Sequence, residues 1–202
     1  INFSDRHYGI GSDGIVMIEK SDIADCKVRV FNRDGSEAGL AANPLRCVAK
    51  YVFDKHIVNS GKISIEVCGG VKTLEVVSFN GVASSVSVNL GAATFDPQEI
   101  PANTEGEVVF APVSFGEKVY DTVAVNVGNS HCITFCDKVD DVDLENLGQA
   151  VLASGMFPGI AYVECARIVN DLTIKLRVWD RVNGETMACG TGACATAVAA
   201  IL

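Results

Sequence analysis

The residues with the clearest chemical potential lie around a cysteine that directly precedes a predicted helix. Cys189 is followed by Gly190-Thr191-Gly192, a turn bracketed by glycines. Amide N–H groups and the positive dipole end at a helix N-terminus favour a thiolate over a thiol. The same N–H groups can hold a carboxylate, and glycine lets a ligand approach the backbone closely. One turn could therefore supply a base and an anchor for an α-amino acid, unless Cys189 is a buried, inert thiol.

An internal repeat connects this cysteine with an earlier segment. Residues 27–33 align with residues 175–181, and Glu37 aligns with Glu185, when 148 is added to each number. The register needs no gap and contains five identities and one aromatic match in an 11-residue window. The same shift aligns Cys189 with Ala41. The sequence therefore indicates a duplicated domain whose two copies differ at their chemical centre.

Short strands that are rich in β-branched residues make up most of the chain. Apolar patterns predict strands at residues 15–19, 27–31, 62–67, 74–77, 86–90, 119–127, 132–135, 161–168 and 172–179. Helices are predicted over residues 44–55, over 144–153 and from about 191 onward. Asn43 is the expected N-cap of the first helix, and Pro44 suits its first position because an N–H is not needed there. The last helix is almost wholly apolar, so we expect it to be buried.

A polar stretch over residues 96–107, which contains three Pro or Gly residues, predicts a domain boundary. We therefore expect an N-terminal domain over residues 1–106 and a C-terminal domain over residues 107–202. The repeat predicts that each domain places a strand, a turn and a helix N-terminus at equivalent points.

The composition favours a small molecule as the partner. The net charge is −9 and the sequence pI is about 4.7, whereas nucleic acid and anionic membrane surfaces require a basic footprint. The chain begins without a basic-then-apolar signal pattern, and no apolar run approaches the length of a membrane-spanning helix. We therefore expect a cytoplasmic protein that binds neither nucleic acid nor membrane.

The eight cysteines do not form a metal-binding pattern. No Cys-x-x-Cys pair is present, and such pairs typically form half of a structural zinc site. In a chain of this size without a secretory signal, reduced thiols are favoured over a disulfide scaffold. The sequence therefore predicts no metal site.

Four segments resemble motifs of the diaminopimelate epimerase family. They are a glycine motif at 9–14, a strand-end motif at 31–37, the Gly-Asn-Ser-His segment at 128–131 and the cysteine box at 184–194. The cysteine box is the most specific, and together the four cover nearly the whole chain. The resemblance implies an α+β fold of two pseudo-symmetric domains, each a mostly antiparallel curved sheet or barrel around a central helix.

The resemblance also implies an isomerase that needs no cofactor. Family members interconvert LL- and meso-2,6-diaminopimelate in the synthesis of lysine and peptidoglycan precursors. Two thiols face each other across the substrate, and one removes the α-proton as a thiolate while the other returns a proton on the opposite face. Because pyridoxal phosphate is not used, N–H donors at two helix ends must stabilise the carbanion and the carboxylate.

By position, the resemblance assigns Cys189 as one acid/base thiol and Gly190 and Thr191 as backbone N–H donors. Arg181 would bind a substrate carboxylate, and Asp180 stands where the family has a longer Glu. Substrate hydrogen bonds are implied for three asparagines, Asn32, Asn43 and Asn129. His131 either orients a catalytic group or is a satisfied histidine. Asn32 could instead serve only its turn, and Arg181 could form only a surface salt bridge.

The first cysteine box departs from the family pattern. Where the family has Cys-Gly-Asn-Gly before its helix, this chain has Ala41-Ala42-Asn43-Pro44. With Ala41 in place of the second thiol, we expect two-base inversion to fail. Ser130 and Tyr162 replace a Pro and an Asn of the family, and the family's opening and closing strands would lie before and after this sequence.

Several alternatives remain open at this stage. A single thiol suffices for an elimination, so a dehydratase of the same superfamily is one alternative, and an amino-acid-binding remnant without catalysis is another. A homodimer is compatible with either. A dinucleotide site at residues 9–14 is disfavoured because the predicted strand follows the glycines instead of preceding them. A cysteine hydrolase that pairs Cys189 with His131 lacks a third group.

Overall fold

The computed structural model describes residues 1–39 and 42–202, and these divide into two compact units, Ile1–Leu90 and Gly91–Leu202. The division lies before the polar stretch and not at residue 106, where we placed it. The reason is that Thr94 and Asn126 exchange two backbone hydrogen bonds of 3.0 and 2.9 Å. The segment after residue 90 is thereby tied to the second unit.

The first unit is a five-stranded sheet whose strands lie in chain order. All pairs are antiparallel except the second and third strands, which are parallel and are connected by a helix. The helix buries the apolar stripe Leu45, Val48, Ala49 and Val52. The elements are β1 (Gly14–Glu19), β2 (Cys26–Asn32), α1 (Ala42–Asp54), β3 (Lys62–Val67), β4 (Gly70–Phe79) and β5 (Val82–Val88).

The second unit is a six-stranded sheet whose strands also lie in chain order, with one parallel pair. The parallel pair is again connected by a helix, and a further helix follows the last strand. The elements are β6 (Ala111–Phe115), β7 (Lys118–Asn126), β8 (Ser130–Phe135), α2 (Leu144–Ala153), β9 (Tyr162–Asn170), β10 (Thr173–Asp180), β11 (Gly184–Thr186) and α3 (Gly190–Ile201).

The six-stranded sheet is buried on both faces. Successive side chains of a strand point to opposite sides, so each central strand contributes to both apolar clusters. On one face Cys132, Val163 and Cys165 belong to an apolar cluster that includes residues of α2. On the other face Ile133 and Ala166 belong to a cluster with Ala195 and Ala199 of α3. The alternation along β8 and β9 therefore decides which side chains face α3.

The structure reproduces the repeat at the level of strand register. Gly14 pairs with Asn32 between β1 and β2, and Tyr162 pairs with Asp180 between β9 and β10. Both partners are displaced by the same 148 positions, and α1 and α3 begin at equivalent positions. The predicted α+β fold of two similar, mostly antiparallel units is confirmed.

A bidentate ion pair recurs at the aligned positions. Arg29 contacts Glu37 at 2.9 Å through both Nε and Nη2. Arg177 contacts Glu185 at 2.7 Å in the same way. In each copy the glutamate lies just after the turn and pairs back to the strand before it, so the same two side chains span both turns.

The nine predicted strands are present with shifted ends, and two strands were missed. β6 contains Pro112 and lies at a sheet edge, where a residue without an N–H is tolerated. β11 has three residues, too few to show a period. The strand β1 follows the early glycine motif, so the order required for a dinucleotide site is absent there.

Two helix predictions need correction. α1 begins at Ala42, so Asn43 is its second residue and not its N-cap. Pro44 still falls in the first turn, where its missing N–H has no helical partner. The final helix is not buried all round, because Cys194 is exposed and Ile201 is 84% exposed. Only the stripe of α3 that meets the sheet is buried, as its helical period requires.

Candidate active site

Cys189 is the N-cap residue of α3. Its backbone is extended, with φ −136° and ψ 110°, and its Sγ accepts a hydrogen bond of 3.3 Å from the Gly192 N–H. The Thr191 hydroxyl lies 3.4 Å from the same sulfur. The N–H groups of Gly190 and Thr191 belong to the first helical turn, where no intrahelical acceptor exists. The predicted placement of a thiol at a helix N-terminus with free donors is therefore present.

The electrostatic environment of Cys189 differs from our expectation. The pKa of its thiol is raised, chiefly because burial disfavours the charged form. The contacts from Thr191 and Gly192 lower the pKa, but the negative charges of Glu164 and Asp180 raise it further. The helix end thus favours the thiolate, as we expected, but burial outweighs it and the pKa is raised overall. The thiol is the favoured resting form.

A buried acid–imidazole pair lies behind the cysteine. The Nδ1 of His131 and the Oε1 of Glu164 are 2.7 Å apart, and both side chains are fully buried. Nε2 of His131 and Oε2 of Glu164 have no hydrogen-bond partner in the described part of the chain. The ring of Tyr162 stacks on the imidazole at 4.9 Å between centroids and 14° between planes. His131 is thus held in place but only half satisfied.

Gly192 connects this pair with the cysteine. A Cβ added to Gly192 would lie 2.8 Å from Glu164 Oε1 and 3.3 Å from Cys189 Sγ. The first distance is below any ordinary carbon–oxygen contact, so only glycine fits without a shift. Glu164, Cys189 and the first turn of α3 therefore form one cluster. The pKa of Glu164 is raised because burial outweighs the charge and hydrogen bond of His131.

Sequence reasoning missed Glu164. A signal for it was present, since a carboxylate within the apolar strand 161–168 stands at a position whose neighbours, Val163 and Cys165, face the opposite core. An inward-facing glutamate requires a partner. His131 could have been its partner only once β8 and β9 were known to be neighbours.

Two further predicted residues, Asp180 and Arg181, lie at the end of β10. Oδ1 of Asp180 accepts N–H hydrogen bonds from Val182 and Asn183, at 2.7 and 3.0 Å, and so shapes the turn into β11. Arg181 is exposed and donates one hydrogen bond of 3.0 Å to the Pro158 carbonyl. No ion pair involves Arg181 within residues 1–39 and 42–202, so the salt bridge considered above is not formed.

The remaining predicted residue of the second unit, Asn129, lies in the bend between β7 and β8. Its carbonyl accepts a hydrogen bond of 3.1 Å from the Val127 N–H. Ser130, the next residue, donates to the Gly159 carbonyl at 3.1 Å and accepts from the Ala161 N–H at 3.2 Å. These contacts fix the start of β8 and with it the position of His131.

The predicted residues of the first unit do not share a contact. Asn32 ends β2, and both its N–H and its side-chain amide donate to Ser36, at 2.8 and 3.0 Å. This is the turn role that we considered for it. Asn43 is exposed and its Oδ1 accepts a hydrogen bond of 3.1 Å from Arg46. Ala41 lies outside the described residues.

Other classes of site find no support in the described ranges. No group of three His, Cys, Asp or Glu side chains there is arranged to hold a metal ion. All eight cysteines are free thiols. No helix in the same ranges is long and apolar enough to cross a bilayer.

Comparison with known proteins identifies relatives across the chain. The family profile described as diaminopimelate epimerase matches residues 1–95 and 123–202. Two similar curated proteins are diaminopimelate epimerases from Acetivibrio thermocellus and Methanococcus maripaludis. Each is 42% identical over 200 residues, which is 98% of this chain and 71% or 72% of the relative.

A solved structure shares the fold at much lower identity. A probable proline racemase from Agrobacterium radiobacter K84 matches with a TM-score of 0.70 and 15% identity. The match covers 98% of this chain and 64% of that protein, so this chain spans less than two thirds of its length. At this identity the likeness concerns the fold alone.

Proposed function

We propose, from the premise that the chain belongs to the diaminopimelate epimerase family, that Cys189 transfers the α-proton of 2,6-diaminopimelate. The reaction class is the interconversion of the LL- and meso-isomers without pyridoxal phosphate. This chain carries Ala41 at the position of the second thiol, so the proposal is a half-reaction: proton exchange on one face of the α-carbon without efficient inversion.

The position of Cys189 is the observation that supports this proposal most directly. Its sulfur accepts a hydrogen bond from the Gly192 N–H at the N-terminus of α3 and lies beside the Thr191 hydroxyl. A substrate carboxylate or carbanion at the N–H groups of Gly190 and Thr191 would be stabilised by the same helix end. Base and anion site then lie within one helical turn, as abstraction of an α-proton requires.

The resting thiol must lose its proton before it can act as a base. Burial and the nearby carboxylates of Glu164 and Asp180 raise the pKa of Cys189. A substrate ammonium group, which is a cation, would offset these carboxylates and lower that pKa. Deprotonation of Cys189 is then coupled to substrate binding, so the thiolate forms only when substrate occupies the site.

Binding roles for the other residues are part of the proposal. The guanidinium of Arg181 uses one described hydrogen bond and keeps further N–H donors for a substrate carboxylate. Asp180 is the acceptor for the substrate ammonium. Hydrogen bonds to the substrate come from three asparagines, Asn32, Asn43 and Asn129.

Loss of inversion follows from the chemistry of alanine. A methyl group carries no transferable proton, so a carbanion formed by Cys189 can be reprotonated only from the face on which it was formed. We therefore expect the α-hydrogen to exchange with solvent while the configuration of the α-carbon is retained. The substitution Ala41→Cys would supply the second thiol and restore inversion.

Deuterium exchange tests the proposal. Each diaminopimelate isomer is incubated with the chain in deuterium oxide, and the α-hydrogen signal is followed by NMR. We expect exchange at one stereochemical centre without inversion, loss of exchange in Cys189→Ala, and inversion in Ala41→Cys. The matched control is Cys194→Ala, which removes an exposed thiol from the same helix. Inversion that survives Cys189→Ala would overturn the proposal. A result in which none of the isomers exchanges its α-hydrogen would also overturn it.

The single-thiol elimination remains a second candidate because of the same substitution at position 41. One base suffices to start loss of water from a 3-hydroxy amino acid. That activity would appear as a keto product with such a substrate and no exchange with diaminopimelate. A non-catalytic amino-acid binder would instead give saturable heat with diaminopimelate in calorimetry and neither reaction.

Location and assembly complete the proposal. We expect the protein in the cytoplasm, with a small amino acid as its partner and without affinity for nucleic acid. Gel filtration combined with light scattering tests whether it forms a homodimer.

A further inference from the structure

Two cysteines of the second unit lie in contact outside the site described above. The Sγ atoms of Cys136 and Cys165 are 2.8 Å apart. A disulfide bond measures about 2.05 Å, so these atoms need to approach by only about 0.8 Å to bond. Both are free thiols, Cys136 half-buried and Cys165 buried.

The backbone brings the two sulfurs together. β8 and β9 are parallel, with Thr134 opposite Cys165 and Phe135 opposite Ala166. The Cys136 N–H continues this ladder with a 3.0 Å hydrogen bond to the Ala166 carbonyl. Cys136 is two positions after Thr134, so its side chain points to the same face as Cys165. The contact is therefore set by hydrogen-bonded strands and does not depend on one flexible side chain.

The pair lies on the sheet face opposite the buried acid–imidazole pair. Cys165 belongs to the apolar cluster that contains residues of α2, and Cys136 packs against that cluster. Glu164, the preceding residue of β9, points to the other face. A change at the two sulfurs therefore leaves the contacts of Cys189 in place.

Access to the pair is through Cys136, because this residue is half-buried whereas Cys165 is buried. A small oxidant would therefore meet Cys136 first. Cys165 lies directly behind it and is protected from the solvent.

We propose that Cys136 and Cys165 are an oxidation site that forms a reversible disulfide when the protein meets a peroxide. The Cys136 sulfur attacks the peroxide, the O–O bond breaks, and Cys136 becomes a sulfenic acid with release of water or an alcohol. The Cys165 sulfur then attacks the sulfenic sulfur. The S–S bond forms, the S–O bond breaks, and the oxygen leaves as water with the thiol proton. A dithiol reductant reverses the change.

The consequence is a covalent link across the parallel pair that carries His131 and Glu164. The link closes the chain segment that contains α2, which restricts the unfolded chain. We therefore expect the oxidised protein to have a melting temperature several degrees higher than the reduced one. Proton exchange by Cys189 should be retained, since its sulfur is not part of the link.

Peptide mapping tests the inference on the whole chain. The reduced protein is treated with one equivalent of hydrogen peroxide, its remaining thiols are alkylated, and it is digested without reduction for mass spectrometry. We expect a peptide that joins Cys136 to Cys165 and disappears after reduction. In Cys165→Ser, we expect dimedone to trap the sulfenic acid of Cys136. Cys194→Ser, which changes an exposed thiol elsewhere, should keep the cross-link.

The wild-type digest decides the matter even if a variant fails to fold. A protein that consumes the peroxide and yields Cys136 as sulfinic acid or Cys189 as the oxidised residue, with no joined peptide, would overturn the proposal. A joined peptide without a rise in melting temperature would overturn the claim that the disulfide stabilises the fold. Neither outcome depends on whether the chain shows proton exchange, so this test and that of the proposed function fail separately.

Discussion

In the first copy of the repeat, β1 and β2 pair in the same register as β9 and β10 in the second copy. The same bidentate Arg–Glu pair closes the turn in both. The helix that follows begins with Ala42-Asn43-Pro44 in one copy and with Gly190-Thr191-Gly192 in the other. The frame is thus shared, whereas the helix head differs at every aligned position.

The difference extends to the residue behind the helix head. The shift of 148 aligns Glu164 with Val16. Glu164 is fully buried beside His131, whereas Val16 is 38% exposed. The second copy therefore has a thiol, a glycine and a buried carboxylate where the first has Ala41, Pro44 and Val16. Residues that hold strand and turn are duplicated, and residues suited to proton transfer are found in one copy.

The largest effect is expected from filling the space at the second helix head. In Gly192→Ala the new Cβ would lie 2.8 Å from Glu164 Oε1 and 3.3 Å from Cys189 Sγ. Displacing the sulfur should lower the proton-exchange rate about 100-fold, and overpacking should lower the free energy of unfolding by about 1–3 kcal/mol. NMR exchange and urea denaturation measure the two effects. Gly106→Ala is the control, because no atom lies within 4 Å of a Cβ there. An unchanged rate in Gly192→Ala would show that this cluster does not matter for exchange.

The aromatic position of the repeat provides the next test. Trp179 is 1% exposed and its ring lies 2.3 Å from a Cβ built on Gly148, whereas the aligned Phe31 is half-buried under the Arg29 guanidinium. Gly148→Ala should lower the free energy of unfolding by about 2–3 kcal/mol because a rigid ring cannot shift. Adding Trp179→Phe, the residue type of the first copy, should recover part of that loss. Additive losses in urea denaturation would contradict a steric origin.

A pH series separates the fully buried carboxylate of Glu164 in the second unit from the half-buried carboxylate of Glu66 in the first. Burial raises the pKa of Glu164 above its ordinary value, so its contribution to stability is present below the unfolded pKa and is lost as the pH rises through the folded pKa. Glu164→Gln should remove this loss of stability at higher pH. The pKa of Glu66 is lowered by Ser21 and Lys27, so Glu66→Gln should remove stability that is present above the unfolded pKa and lost at lower pH. Melting curves from pH 4 to pH 9 measure both, and responses of equal sign would refute the comparison.

The smallest effect should come from the ion pair that both copies share. Arg29 pairs with Glu37 and lies over the Phe31 ring, and both side chains of the ion pair are 40% exposed, so Arg29→Gln should change the free energy of unfolding by less than about 1 kcal/mol. Arg177 also donates to the carbonyls of Val139 and Val142, both at 2.9 Å. Arg177→Gln should therefore have the larger effect, about 1–2 kcal/mol. Equal losses for the two substitutions would mean that these carbonyl contacts add nothing.

Much of the fold was predictable because the patterns that specify it are local. Alternating apolar residues marked nine strands, and the gapless alignment of residues 27–33 with 175–181 indicated the duplication. The strand with Pro112 and the three-residue strand after Asp180 carried no period and were missed. The domain boundary was misplaced because a polar composition does not reveal that Thr94 pairs with Asn126.

The candidate site was predictable only in part. A cysteine before a glycine turn and a helix is a local pattern, and Cys189 does cap α3. Its partners come from elsewhere in the chain. His131 was recognised but left without a role, and Glu164 was overlooked, because only the pairing of β8 with β9 brings them together.

Sequence by itself determined the duplicated α+β frame, the thiol at a helix head and the alanine that the repeat aligns with that thiol at position 41, since each depends on residue identity and spacing. Tertiary structure alone decided the surroundings of that thiol. The pKa of Cys189 is raised because packing excludes water and places Glu164 beside it, and this outweighs the helix N–H groups on which the sequence prediction relied. Desolvation depends on everything that packs around a group, and no local pattern contains it.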